Sequence, residues 1–113
     1  MIRAALLALL LTGCAATPEQ LRVGFHVMNA AEAGTTTARD PACMSEGNPL
    51  LGSDPTDATV AAYAVLGSLL YEGLYWWVRE NKPAERLAFG WAFLTIKTLA
   101  TGWNASVLAR GCE

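Results

Sequence analysis

Two stretches decide the fold: TVAAYAVLGSLLYEGLYWWV at residues 59–78 and LAFGWAFLTIKTLATGWNASVL at residues 87–108. Each carries one charge, Glu72 in the first and Lys97 in the second. At about 1.5 Å per helical residue, either is long enough to cross a bilayer core of about 30 Å. Between them lies the polar link Arg79-Glu80-Asn81-Lys82-Pro83-Ala84-Glu85-Arg86, short enough to turn the chain straight back. Tyr75, Trp76 and Trp77 close the first stretch and Trp103 lies near the far end of the second, where amphipathic rings favour a membrane interface. The pattern predicts an all-α chain, a three-helix arrangement with a transmembrane helical hairpin in residues 58–113.

An ionisable residue inside an apolar span is expected to be paired or functional. Counted from the turn, Glu72 and Lys97 lie at depths that differ by about 6 Å along the axis. Each Cβ leans toward its own helix N-terminus, which tilts the two side chains toward one another in an antiparallel hairpin. An intramembrane ion pair, Glu72 with Lys97, is therefore expected. Thr98, Gly102 and Ser106, spaced at i, i+4 and i+8, offer a face of small residues for close helix packing.

Upstream, Thr17-Pro18-Glu19-Gln20 combines a helix cap, a proline at the first helical position and a glutamine three residues after the cap, which together form a capping box. Leu21, Phe25 and Met28 then mark one face, widened by Val23, Val27, Ala30 and Ala31, with Glu19 and Arg22 pointing away. This first helix ends at Gly34 or runs on through the threonines to Arg39. His26, beside Asn29 and Glu32, is placed to meet Glu72 or Asn104 in a polar cluster. Residues 41–56, dense in Pro, Gly, Ser, Asn and Asp, form an irregular connector, and Thr56 or Asp57 caps the helix that follows.

The start of the chain has its own signal. Met1-Ile2-Arg3 is a short positive beginning, Ala4–Leu11 is apolar without interruption, and Leu11-Thr12-Gly13-Cys14 follows. Those four residues resemble the lipobox of bacterial lipoproteins. The resemblance implies a signal peptide over residues 1–13, cleavage before Cys14, and lipidation of Cys14 as the membrane anchor. Residues 14–57 then form an exported, lipid-anchored segment comprising the amphipathic helix and connector. From Cys14 to Asp57, Glu19, Glu32, Asp40, Glu46, Asp54 and Asp57 stand against Arg22 and Arg39. An exported chain matures in an oxidising compartment, so the remaining cysteines, Cys43 and Cys112, are expected to form a disulfide. With both termini outside, the turn lies in the cytoplasm, and its Arg79, Lys82 and Arg86 agree with the positive-inside tendency.

A second resemblance rests on Glu46-Gly47-Asn48-Pro49-Leu50-Leu51-Gly52. The block is similar to one in small uncharacterised membrane proteins of tailed phages and prophages, where a Thr-rich helix precedes it and two apolar helices follow. An Asn near the outer end of the last helix matches Asn104. Glu46, Asn48, Pro49, Gly52 and Asn104 are thus the positions that carry this likeness, and it implies a setting and a fold but no activity.

Composition narrows the function. The 113 residues are 53% hydrophobic and 16% charged, with a formal net charge of −2 and no basic run, which excludes the electrostatic footprint of a nucleic-acid-binding protein. With one His and no paired carboxylate motif, no catalytic residue, metal site or cofactor is expected. The expected partners are the lipid membrane and either other envelope proteins or a second copy of the chain. The function expected is that of a non-enzymatic, membrane-embedded lipoprotein, phage or prophage encoded, acting through envelope contacts such as superinfection exclusion. A single-chain spanin-like lysis protein and a small soluble-domain periplasmic lipoprotein are the alternatives. Ala15 and Ala16 after Cys14 point toward the outer membrane, and the apolar stretches favour the inner one.

Overall fold

The computed structural model describes Arg3, residues 16–40, Leu51 and residues 54–112. Cys14, Cys43 and the motif positions Glu46, Asn48, Pro49 and Gly52 lie outside these residues. Three α-helices and one short 3-10 turn make up the described chain, and no strand occurs among the described residues. The fold is all-α.

Helix α1 spans Pro18–Thr37 and begins as its sequence requires. The Thr17 N–H donates to Gln20 Oε1 at 2.9 Å and the Gln20 N–H donates to Thr17 Oγ1 at 3.2 Å, closing the capping box. The helix runs past Gly34 to Thr37. Along this extension the Thr35 hydroxyl donates to the Ala31 and Glu32 carbonyls and the Thr37 hydroxyl to the Gly34 carbonyl, all at 3.0 Å. Helix α2 spans Asp57–Asn81, and Thr56 is its cap, accepting from the Thr59 N–H at 3.2 Å. The 3-10 turn Pro83–Glu85 reverses the chain into α3, Arg86–Arg110, which ends where Gly111 takes a φ of 64°.

Helix α1 packs most extensively on α3 and next on α2, whereas α2 and α3 touch one another little. Its course is fixed by side chains at both ends. The Tyr75 hydroxyl donates to Glu19 and Arg22 reaches Glu72, so α1 starts beside the end of α2 and the turn. Lys97 donates to Glu32 and Asn104 to Thr36, so α1 finishes beside the end of α3. Helix α1 is thus antiparallel to α2 and parallel to α3. The resulting body is flat, with extents of 46 × 37 × 16 Å. The closest approach is at Gly90, where an added Cβ would sit 2.9 Å from Leu21 Cβ, so only glycine allows this α1–α3 contact.

The apolar core is small and aromatic. Phe25 stacks on Tyr71 with ring centroids 4.0 Å apart, and Phe89, Phe93 and Tyr75 surround the pair. Leu21, Val60 and Val78 are also buried, Val60 toward the other end of the bundle beside Thr36 and Leu51. By contrast, Val65, Leu66, Leu69 and Leu70 of α2 and Ile96, Leu99 and Trp103 of α3 are exposed, and so are Val23 and Val27 of α1. Val23 and Val27 therefore do not widen the buried stripe of α1. Asn29 and Thr36 do so instead, at 3% and 5% exposure.

The transmembrane hairpin expected from the two apolar stretches is not supported, because no helix among the described residues is long and apolar enough to cross a membrane. Length is not what fails. Each of α2 and α3 has 25 residues, about 38 Å at the usual helical rise. The shortfall is in polarity, since Glu72, Ser68, the tyrosines and the glycines dilute α2, and Lys97, Asn104 and the threonines dilute α3. Most of these polar groups face α1.

Candidate functional site

The interface between α1 and the two longer helices holds two polar clusters. In the one nearer the turn, Glu72 on α2 is the hub. Arg22 donates to it twice, from Nε to Oε1 at 2.8 Å and from an Nη to Oε2 at 2.5 Å, a forked geometry that suits a carboxylate. His26 Nε2 lies 2.5 Å from Glu72 Oε1, and its Nδ1 lies 3.1 Å from Ser68 Oγ. Asn29 completes the cluster, donating to Ser68 Oγ at 2.9 Å and to the Ala64 carbonyl at 2.8 Å. Spacing explains the convergence: Ala64, Ser68 and Glu72 are i, i+4 and i+8 on α2, and Arg22, His26 and Asn29 are i, i+4 and i+7 on α1.

The second cluster lies toward the other end of α1. Lys97 Nζ donates to Glu32 Oε2 at 2.6 Å, with side chains only 12% and 13% exposed. The Asn104 amide donates to Thr35 Oγ1 and Thr36 Oγ1 at 3.1 Å, and the Thr101 hydroxyl to the Met28 carbonyl at 3.3 Å. Lys97 also sits over the ring of Tyr63, 5.3 Å from its centroid.

These contacts replace the expected Glu72–Lys97 bridge. Both residues are paired, but each with a different residue of α1, because α1 fills the space across which they were to meet. Arg22, expected to point away, faces inward for the same reason. Of the two partners expected for His26, it meets Glu72, whereas Asn104 bonds instead to Thr35 and Thr36. Thr98, Gly102 and Ser106 are exposed, and a Cβ added at Gly102 would meet nothing within 4 Å. Cys112 is disulfide-bonded, with its partner outside the described residues, and its Sγ lies 3.6 Å from Asp40 Oδ2 at the end of α1. Arg22 and Ser68 join the site without a sequence expectation for them, although the polar spacing Arg22, His26, Asn29, Glu32, Thr36 follows a helical period and marks a face.

Ser68, His26 and Glu72 have the order of a hydroxyl–imidazole–carboxylate chain, and an open groove of about 250 Å³ lies over Ser68 and His26, with Ala30, Val65 and Leu69 among its walls. Two features argue against a nucleophile. Glu72 is already neutralised by Arg22, and Ser68 lies in the interior of α2, where neighbouring backbone N–H groups are spent on the helix and leave no oxyanion donors. No group of three or more His, Cys, Asp or Glu side chains suited to a metal occurs among the described residues. At the turn end, beyond the apolar middle of the bundle, Glu19 is held below the usual carboxylate range by the Tyr75 hydroxyl, against a smaller opposing effect of burial and with help from Arg22.

Between Leu21 and Thr36 of α1, Ala58 and Val78 of α2, and Leu87 and Ala109 of α3, the charged residues are Arg22, Glu32, Glu72 and Lys97. All four are joined in two opposite-charge pairs. The remaining surface of this middle region is dominated by aliphatic and indole side chains, including Trp76, Trp77, Trp91 and Trp103. The site is an inward-facing polar seam beneath an apolar exterior. Comparison with protein-family models, with curated proteins and with solved structures gives no match for this chain.

Proposed function

We propose that the chain is a non-enzymatic envelope protein held within the apolar phase of a membrane and acting through contacts with other envelope proteins. The observation that carries this reading is the inverted distribution of polarity: paired charges and amides inside, Val, Leu, Ile and Trp outside. In water that arrangement leaves a large apolar area exposed, at about 25 cal/mol per Å², whereas in hydrocarbon it satisfies the interior and solvates the exterior. No helix needs to qualify alone, because α1 neutralises the polar groups that disqualify α2 and α3. Interference with a transport or injection complex, as in superinfection exclusion by a phage or prophage product, is a role such a protein can fill without catalytic residues.

Alkaline carbonate extraction of membranes, comparing the wild type with Cys14→Ala, tests the reading. Retention of both proteins in the membrane pellet is expected, because the helices rather than a lipid on Cys14 hold the chain. Release of Cys14→Ala into the soluble fraction would overturn it and favour a small periplasmic domain tethered by its lipid.

A further inference from the structure

The direction of α1 carries a consequence for topology. In the expected arrangement, Cys14 lies on the outer face while the turn at Arg79–Arg86 lies in the cytoplasm. Yet α1 starts beside that turn, with Glu19 bonded to Tyr75 and Arg22 to Glu72. Cys14 precedes Pro18 by four residues, a reach of at most about 14 Å even when extended. A bilayer core of about 30 Å therefore cannot separate Cys14 from the turn if α2 and α3 cross it. The opposite end of α1 lies beside Cys112, through Asp40, and the 20 residues between span about 30 Å.

Helix α1 also has the surface that an embedded helix needs. Its outward residues include Val23, Val27 and Ala30, the first two 63% and 60% exposed. Its charged residues in that stretch, Arg22 and Glu32, are both paired inward. Ionisable groups are tolerated in hydrocarbon when they face the bundle interior and pair there.

The two ends of the bundle differ in chemistry. At the turn end Arg79, Lys82 and Arg86 stand with Glu19, Glu80 and Glu85, and Trp76 and Trp77 are exposed just inside it. At the other end are Asp40, Asp54 and Asp57 with Arg39 and Arg110, and the disulfide-bonded Cys112. The end with more Lys and Arg, three against two, belongs on the cytoplasmic side and a disulfide on the oxidising side.

We propose that α1 is a third membrane-embedded helix whose Val23–Val27–Ala30 face meets lipid hydrocarbon, placing residues 16–19 and the Arg79–Arg86 turn together in the cytoplasm and Cys112 outside. This rests on the embedded reading above and adds the course of α1. It removes Cys14 from the outer face, so an outer-leaflet lipid on that residue has no place in the arrangement.

Single cysteines added at Ala16, Ala84, Ala58 and Val27 to the full chain carrying Cys14→Ala, labelled with a membrane-impermeant maleimide in intact cells and after permeabilisation, test it against that parent. Ala58→Cys is expected to label in intact cells, Ala16→Cys and Ala84→Cys only after permeabilisation, and Val27→Cys in neither condition. Labelling of Ala16→Cys but not Ala84→Cys in intact cells would overturn the proposal. So would free labelling of Val27→Cys in either condition, or labelling of Ala16→Cys and Ala84→Cys outside with Ala58→Cys protected. Because carbonate extraction reports embedding independently, a retained protein with reactive Val27→Cys defeats the placement of α1 while leaving the functional reading intact.

Discussion

The two polar clusters of the α1 interface follow the same pairing rule with different margins. Around Glu72, one carboxylate receives Arg22 twice and His26 once, and the side chains are about one-third exposed. At the other end, Glu32 and Lys97 form a one-to-one bridge at 12–13% exposure. The first cluster has spare donors and partial access to its surroundings, and the second has neither. Pairing in this fold is therefore redundant near the turn and obligatory near Asn104, although both clusters contribute the same opposite charges.

The largest effect should come from breaking the obligatory bridge. Lys97→Met leaves Glu32 buried without its cation and is expected to cost about 3–5 kcal/mol, read as a lowered midpoint in chemical denaturation followed by helical circular dichroism. The exchange Glu32→Lys with Lys97→Glu should recover more than half of that loss. Recovery of none would show that the bridge is not what holds this end.

Arg22→Ala should cost less, about 1–2 kcal/mol, because His26 remains on Glu72. Adding His26→Ala should then cost more than the sum of the two single changes, the signature of shared support. A loss equal to that of Lys97→Met would erase the difference between the clusters.

Gly90→Ala probes packing apart from charge. Its Cβ meets Leu21 at 2.9 Å, so α1 and α3 must part, at about 1–3 kcal/mol. The smallest effect belongs to Tyr71→Phe. The Tyr71 hydroxyl is buried without a hydrogen-bond partner, so its removal should be neutral or stabilise by up to about 1 kcal/mol, as the shift in denaturation midpoint would report.

The helix starts were legible in the sequence because they are local. Thr17 with Gln20 and Thr56 with Thr59 make their bonds within three residues, so spacing alone identifies them. The end of α1 was less so, since the threonines after Gly34 both cap and extend it. Which face of α1 turns inward was not legible by apolar periodicity. Leu21 and Phe25 marked it correctly, but Val23 and Val27 pulled the stripe outward, and the polar period of Arg22, His26, Asn29 and Glu32 was the better guide. The Glu72–Lys97 pairing followed from treating α2 and α3 as mutual neighbours. Once α1 fills their cleft, each charge finds a nearer partner on it. Tertiary placement, not local propensity, decides such contacts.

The central claim is that the apolar exterior meets lipid, and the four tryptophans at positions 76, 77, 91 and 103 report on it directly, all being exposed on the outside of the bundle. Tryptophan emission of the full chain in phosphatidylcholine vesicles should be quenched by brominated acyl chains and protected from aqueous iodide. Strong iodide quenching with no effect of the brominated lipid would place those faces in water and contradict the account.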